Sequence, residues 1–321
     1  MAARVFVFGS INTDLVVYVA RLPRPGETIG GGTYQSFPGG KGANQAVAAA
    51  RAGASVHLFG CLGEDAFGRE RLASLEKTGV STRGVRVLPG VASGVAEITV
   101  DASGENTIVV APGATDRFFP DGVEIPTAAP GETCVSLFQN EVPQETTEAL
   151  ILRAKKAGHT VFWNLAPTLS RKPADHALHA VDCLICNRNE LADLTGRPRS
   201  TSDDPSGMED DARVPLSWGV RSLIVTLGRK GSTYITASGA QAVPAFAVEA
   251  VDTVGAGDCY CGVLAAFVAQ GLPIATAMRK ASAAAAVSTT RRGAQPSMPT
   301  LEEIEAFLRA QLSSAGSPPG A

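Results

Sequence analysis

Aromatic residues are scarce in this chain, at 6% of 321 residues, and there are only 4 histidines. Neither sign of charge dominates: 28 Lys and Arg face 31 Asp and Glu, for a net charge of -3. A basic stripe with interleaved aromatics is missing, so nucleic acid is not an expected partner. An anionic ligand would have to be held by local devices, not by the overall field. No apolar run reaches bilayer-spanning length without polar interruption, so no membrane is expected. Met1-Ala2-Ala3-Arg4 runs straight into the apolar stretch Val5 to Phe8, with no long apolar segment leading to a cleavage site. A cytoplasmic protein is therefore expected, with nucleus and organelles left open. No internal repeat is present. Of the six Cys, Cys183-x-x-Cys186 has a metal-like spacing, but it lies inside the apolar run VDCLIC with no second pair at finger spacing. Buried strand thiols are expected there instead of zinc or redox chemistry. Reduced, unpaired thiols also fit the cytosol.

What is present is alternation. Candidate strands are 4–10, 56–61, 133–138, 160–166, 182–186 and 222–228, and candidate helices are 42–53, 66–78, 145–157 and 206–220. Near-continuous apolar strands alternating with helices predict an α/β fold: a doubly wound, mostly parallel sheet with helices on both faces. Two segments break the pattern, 14–37 and 94–111. Both read as antiparallel strands outside the main sheet, forming a small β-sheet lid. A plainer reading makes them an edge hairpin of the main sheet. Residues 197–215 are rich in Pro and Asp and read as a surface loop, and 313–321 read as a disordered tail after a domain of 1–312.

Three constellations carry chemistry. In VDTVGAGDCYCGVLAAFVAQG (251–271), Gly255-Ala256-Gly257 leads into an apolar helix. Such a turn presents backbone N–H groups at a positive helix end, suited to a phosphate or a developing oxyanion. Asp258 falls in the first helical turn, either as an ordinary Asp favoured by the helix dipole or as a proton acceptor in phosphoryl transfer. In PGGKGANQAVAAARAGA (38–54), Gly39 and Gly40 precede Lys41 and Asn44. Gly42 follows Lys41 where a Walker loop requires Ser or Thr, so this is no P-loop. A plain turn is the alternative. In GSINTDLV (9–16) the dinucleotide fingerprint is missing. Asn12 and Asp14 alternate along the chain and can face the same way, which suits a vicinal diol; an Asx turn is the alternative. Asn187-x-x-Glu190 opens a helix and suits either water-mediated Mg²⁺ or a helix N-terminus. TLGRKGS (226–232) reads as a nucleotide contact or a strand-to-strand turn, and RRGAQPS (291–297) as a loop.

Together GSINTD, GGKGANQ, DTVGAGD and GAQPS resemble the ribokinase branch of the PfkB sugar-kinase family, over about residues 4–310. The resemblance implies ATP-dependent phosphorylation of D-ribose at the 5-hydroxyl, with Asp258 as base and Gly255, Ala256 and Gly257 as anion hole. It implies a ribose site of Asn12, Asp14, Gly40, Lys41, Asn44, Glu141 and Asp258. It places ATP at Asn187, Thr226, Gly228, Gly231 and Gly257, and Mg²⁺ at Glu190 through water. K⁺ would lie beside the anion hole at Asp252, Val254, Ser288, Arg291, Gly293 and Ser297. A homodimer through the lids is implied too. Deoxyribose, another sugar or a nucleoside remain as alternative substrates, and a non-catalytic sensor on the same fold as an alternative role.

Overall fold

The structure is a computed structural model and describes residues 3–169, 171–198 and 208–315. Its main sheet has nine strands in the order β13-β12-β11-β10-β9-β8-β1-β4-β5. The central ones are β1 (Arg4–Phe8), β4 (Ser55–Gly63), β8 (Cys134–Phe138), β9 (Thr160–Asn164), β10 (Cys183–Asn187) and β11 (Ser222–Thr226), with β5 (Ser81–Leu88) at one edge. Pairing is parallel from β5 through to β11. β12 (Ser232–Thr236) and β13 (Gly239–Val243) then run antiparallel at the other edge.

Parallel strands must bury both faces, and β1 illustrates how. Val5 and Val7 enter one core layer and Phe6 and Phe8 the other, as a two-residue period requires. Phe8 stacks between Phe59 and Phe138 at 4.7 and 4.8 Å between ring centroids. The valine side is covered by α1 (Lys41–Arg51), α2 (Ala66–Lys77), α7 (Ala256–Ala269), α8 (Ile274–Thr289) and α9 (Leu301–Ala315). The phenylalanine side is covered by α3 (Gln144–Lys156), α4 (Asp175–Ala180), α5 (Arg188–Thr195) and α6 (Met208–Ser217). This is the doubly wound arrangement the alternation predicts.

A second sheet has four strands in the order β3-β2-β6-β7, built from β2 (Asn12–Tyr18), β3 (Thr33–Gly39), β6 (Gly94–Val100) and β7 (Asn106–Ala111). It is separate from the main sheet, which removes the edge-hairpin reading. The expected antiparallel pairing needs correction at its centre: β2 pairs with β6 in parallel, and only the outer pairs are antiparallel. Two hairpins from distant segments meet through their first strands, β2 and β6.

Three strands escaped the sequence reading. β5 and β13 lie at the sheet edges, where water breaks the apolar run, and β12, one strand in, is mostly buried but built of polar residues, STYIT. The segment expected as a loop over 197–215 is helical from Met208 onwards, in keeping with the overlapping helix expected at 206–220. Residues 199–207 of that segment lie outside the described residues. Helix α9 continues to Ala315, into the segment read as tail, and 316–321 lie outside the described residues.

Candidate active site

The chain leaves β1 towards β4 on one side of the sheet and returns to β8 on the other. The carboxyl ends of β1 and β8 therefore flank a topological switch point, where open α/β sheets bind ligands. Most of the chemistry-bearing residues meet there. Glu141 follows β8, and its Oε2 accepts from the Ser10 hydroxyl beyond β1 and from the Lys41 backbone N–H at 2.9 Å. A cavity of about 200 Å³ lies at the same end. Lys41, Asn164, Asn187, Glu190, Thr226, Gly255, Gly257 and Asp258 line it, with Ala166, Ile185, Cys186 and Cys261.

Asp258 is 6% exposed. Its Oδ2 accepts from Asn44 Nδ2 at 2.9 Å and its Oδ1 from Gln45 Nε2 at 3.0 Å. Asp258 lies in the first turn of α7, as both readings require, and its carboxylate is not turned back to cap the helix but held by these two amides. Gly255 stands at the N-cap with φ 74, in the left-handed region that glycine enters freely. A Cβ on Gly257 would meet no protein atom within 4 Å, so packing makes no demand for glycine there. Ala256 behaves differently: its N–H donates to Thr253 O at 3.2 Å, and it does not line the cavity. Of the GAG turn, then, Gly255 and Gly257 face the open space, and Ala256 closes the turn.

Asn12, Asp14, Asn44 and Glu141 do not line this cavity. They come from β2 (Asn12 and Asp14), α1 (Asn44) and the loop after β8 (Glu141). Asp14 rises from β2 with Gly39 so close that a Cβ there would sit 2.1 Å from its Oδ1. Asn12 Oδ1 accepts from Thr115 Oγ1 at 3.4 Å. Gly40 has φ 87, and a Cβ there would strike the Asn12 backbone N at 2.7 Å. Asp14 and Glu141 thus reach one site from two different sheets, with the GGKG turn between them.

On the opposite flank, Asn187 and Glu190 form a capping box on α5. Asn187 Oδ1 accepts from the Glu190 N–H at 2.8 Å, and Glu190 Oε2 from the Asn187 N–H at 2.7 Å. The helix N-terminus reading of this motif therefore holds, and both residues also line the cavity. Thr226 lines the cavity at the end of β11, whereas Gly228 and Gly231 belong to the turn joining β11 to β12 and do not. Asp252 staples two loops: its Oδ1 accepts from Val254 N–H at 2.9 Å and its Oδ2 from Gly293 N–H at 2.8 Å. Ser288 lies in the last turn of α8, and Arg291, Gly293 and Ser297 follow along the second loop, with Arg291 paired to Glu303 at 2.5 Å. Among the described residues no cluster of His, Cys, Asp and Glu forms a ready metal cage.

The chain matches the family model described as the pfkB family carbohydrate kinase over residues 2–301. It belongs to the pfkB family of carbohydrate kinases. It is 38% identical to the ribokinase of Schizosaccharomyces pombe over 317 residues, covering 94% of this chain and 96% of that one. It is 36% identical to the deoxyribokinase of Salmonella typhi over 302 residues, covering 94% of this chain and 97% of that one. Among solved structures, the Arabidopsis thaliana ribokinase complexed with ribose and ATP superposes with a TM-score of 0.85 at 30% identity, covering 96% of this chain and 99% of that one. The chain is thus a sugar kinase of the ribokinase type.

For a pfkB kinase the electrostatics of the site are pointed. Asp14 has its pKa pushed up to about 6, first by burial and then by Glu141 and Asp258; Arg71 and Lys41 pull it back down. Glu190 is also raised, mainly by burial. Lys41 is raised chiefly by the Asp258 charge, which keeps it protonated. The cavity thiols Cys186 and Cys261 are pushed well above the usual range by burial, which makes them inert. All six Cys are free and buried, as the apolar context of VDCLIC predicts for Cys183 and Cys186.

Four residues of the site escaped the sequence reading: Ser10, Gln45, Gln139 and Asn164. Ser10 and Gln45 sit inside the very motifs singled out, GSINTD and GGKGANQ, and their polarity in buried positions was the available signal. Gln139 follows β8 and Asn164 ends β9, and neither carries a local signature.

Proposed function

We propose that this chain transfers the γ-phosphoryl group of ATP to the 5-hydroxyl of D-ribose. The observation that carries the reading is Asp258: a buried carboxylate at the start of α7, clasped by two amides, opening on a cavity beside the GAG turn. The amides hold both carboxylate oxygens and leave further lone pairs to accept a proton from a hydroxyl. Asp14 and Asn12, at the base of the small sheet, would bind the sugar hydroxyls, with Lys41, Asn44, Gly40 and Glu141 closing that side. Asn187 and Thr226 would meet the nucleotide, with Gly228 and Gly231 shaping the turn behind.

Phosphoryl transfer proceeds through a loose transition state in which positioning and charge stabilisation dominate. The free N–H groups near Gly255 and Gly257, at the positive end of a 14-residue helix, suit the charge on the transferred group. Asp258 accepts the hydroxyl proton. The small sheet, as a lid, excludes water and limits idle ATP hydrolysis. Glu190 has one oxygen held by its capping bond and the other available, so it fits Mg²⁺ held through water. Bound there, Mg²⁺ would neutralise phosphate charge. K⁺ would be held by backbone carbonyl oxygens of the two segments that Asp252 joins, and would steady the GAG turn beside them.

A second reading takes deoxyribose as substrate, and the similarity to a deoxyribokinase supports it. Asn12 discriminates: if it reads the 2-hydroxyl, deoxyribose loses a partner. ADP release measured across ribose, deoxyribose, fructose and adenosine, each in Na⁺ and in K⁺, decides. Highest kcat/KM on ribose, rising with K⁺, is the expected outcome; a higher value on deoxyribose replaces the substrate. Asp258→Asn should keep the fold and sugar binding while losing at least a hundredfold in kcat. Near-normal turnover in that variant removes Asp258 as base.

A further inference from the structure

Asn44 and Gln45 each carry an amide with a donor end and an acceptor end. Only the donor end suits a carboxylate, so each amide must be prevented from turning over. The fold does this with a second pair of buried amides. Gln295 Nε2 donates to Asn44 Oδ1 at 3.1 Å, which points Asn44 Nδ2 at Asp258. Gln139 Nε2 donates to Gln45 Oε1 at 2.7 Å, which points Gln45 Nε2 at Asp258 and at Asn164 Oδ1, 3.0 Å from each. Asn164 is oriented in turn by donating to Ile185 O at 3.2 Å.

We infer that Gln295 and Gln139 are positioning residues whose donated hydrogen bonds lock the inner amides in the orientation that keeps Asp258 a hydrogen-bond acceptor aimed at the sugar hydroxyl. Neither touches Asp258; each acts through one intermediate amide. Both are buried, at 4% and 0% exposure, so neither bond is replaced by water when lost. The chain of donors runs from the 291–297 loop, through α1 and Asp258, to the end of β8. Arg51, at the far end of α1, holds the other side of that loop by donating to Gln295 O at 3.0 Å and to Met298 O. Helix α1 therefore braces the loop and the carboxylate together, and Gln295 is where loop geometry enters the site.

The inference rests on Asp258 being the proton acceptor, and the test separates the two. Gln295→Glu and Gln139→Glu keep the shape but exchange a donor for a group that donates only when protonated. The ratio of variant to wild-type kcat, measured from pH 5.5 to 9 with ribose and ATP at saturation, should fall at least tenfold as the new carboxyl ionises. The ratio should recover at the acid end. Gln295→Met and Gln139→Met, near-isosteres without a donor, should lose activity by at least tenfold at every pH with KM for ATP within twofold. Thermal melting reports which variants are folded, and if the Glu variants are not, the Met pair decides. A flat ratio in the folded Glu variants, or kcat within twofold of wild type in the Met variants, overturns the lock. Asp258→Asn is assayed beside them: its near-normal turnover removes the base itself, whereas its failure together with unaffected glutamine variants removes only the lock.

Discussion

Asp14 brings its carboxyl into a site that already holds Glu141 and Asp258, and burial with those neighbours lifts its pKa to about 6. The sign of the consequence is opposite for binding and for stability. An ionised Asp14 accepts from sugar hydroxyls at both oxygens; a protonated one loses part of that capacity. KM for the sugar should therefore rise as pH falls through about 6. Stability runs the other way. A carboxyl with a raised folded-state pKa binds more protons folded than unfolded, so its stabilising contribution is present below the ordinary pKa of 3.8 and is lost as pH rises through about 6. Asp14→Asn should then be more stable than wild type at pH 8, by up to about 2 kcal/mol after allowance for solvent screening, and melt higher, while KM for the sugar rises at least tenfold. Equal melting and equal KM would show that Asp14 meets neither the neighbouring charges nor the sugar. Arg71, buried on α2 with Nε and Nη1 unpartnered, is one of the two cations that keep the Asp14 pKa from climbing further.

Among the elements, α1 and α7 decide the site because they lie against each other. Alanines line α1, and on α7 Gly262 comes so close that a Cβ would stand 2.3 Å from Gln45 O and 2.7 Å from Ala48 Cβ. Small residues let the two backbones approach until Asn44 and Gln45 reach Asp258, which lies one turn earlier on α7 than Gly262. Gly262→Ala should push the helices apart and cost about 1–3 kcal/mol, as overpacked cores do. It should also lower kcat more than it raises either KM, because the displaced partner is the carboxylate clasp. Melting and steady-state kinetics on one preparation check this; loss of stability with unchanged kcat would mean the clasp adapts to the shift.

For the whole molecule, the small sheet is the unfinished part. Both of its edges, β3 and β7, are open, and it exposes Tyr18, Tyr34, Ile108, Val109 and Val110, the last three at 55, 66 and 54%. Apolar edge strands left in water invite pairing with another chain. A second copy of the same sheet is the proposed partner, giving a dimer through the lids. Val109→Lys should then yield a monomer by sedimentation, with KM for the sugar raised because the lid loses its support. A wild-type monomer at micromolar concentration would end that reading. No described helix is long and apolar enough to cross a membrane.

How much of this was legible beforehand follows from how far apart the interacting residues are. The sequence by itself determined β1, β4, β8, β9, β10 and β11 of the main sheet, since parallel strands buried on both faces must be continuously apolar, as VFVF and LIVT are. It determined the GAG turn with Asp258, and the GGKG turn with Lys41 and Asn44, since glycines and polar residues at helix starts are local signals. It also marked Asn187 and Glu190, whose partnership spans three residues. The tertiary structure alone decided which strands pair with which, including the parallel meeting of β2 and β6. It alone brought Glu141 to Lys41, Gln45 and Gln139 to one another, and Gln295 to Asn44 across 251 positions of chain. A buried amide shows in the sequence only as one more polar residue. Its orientation, on which the aim of Asp258 depends, exists only once the partners that accept and donate its hydrogen bonds have been packed around it.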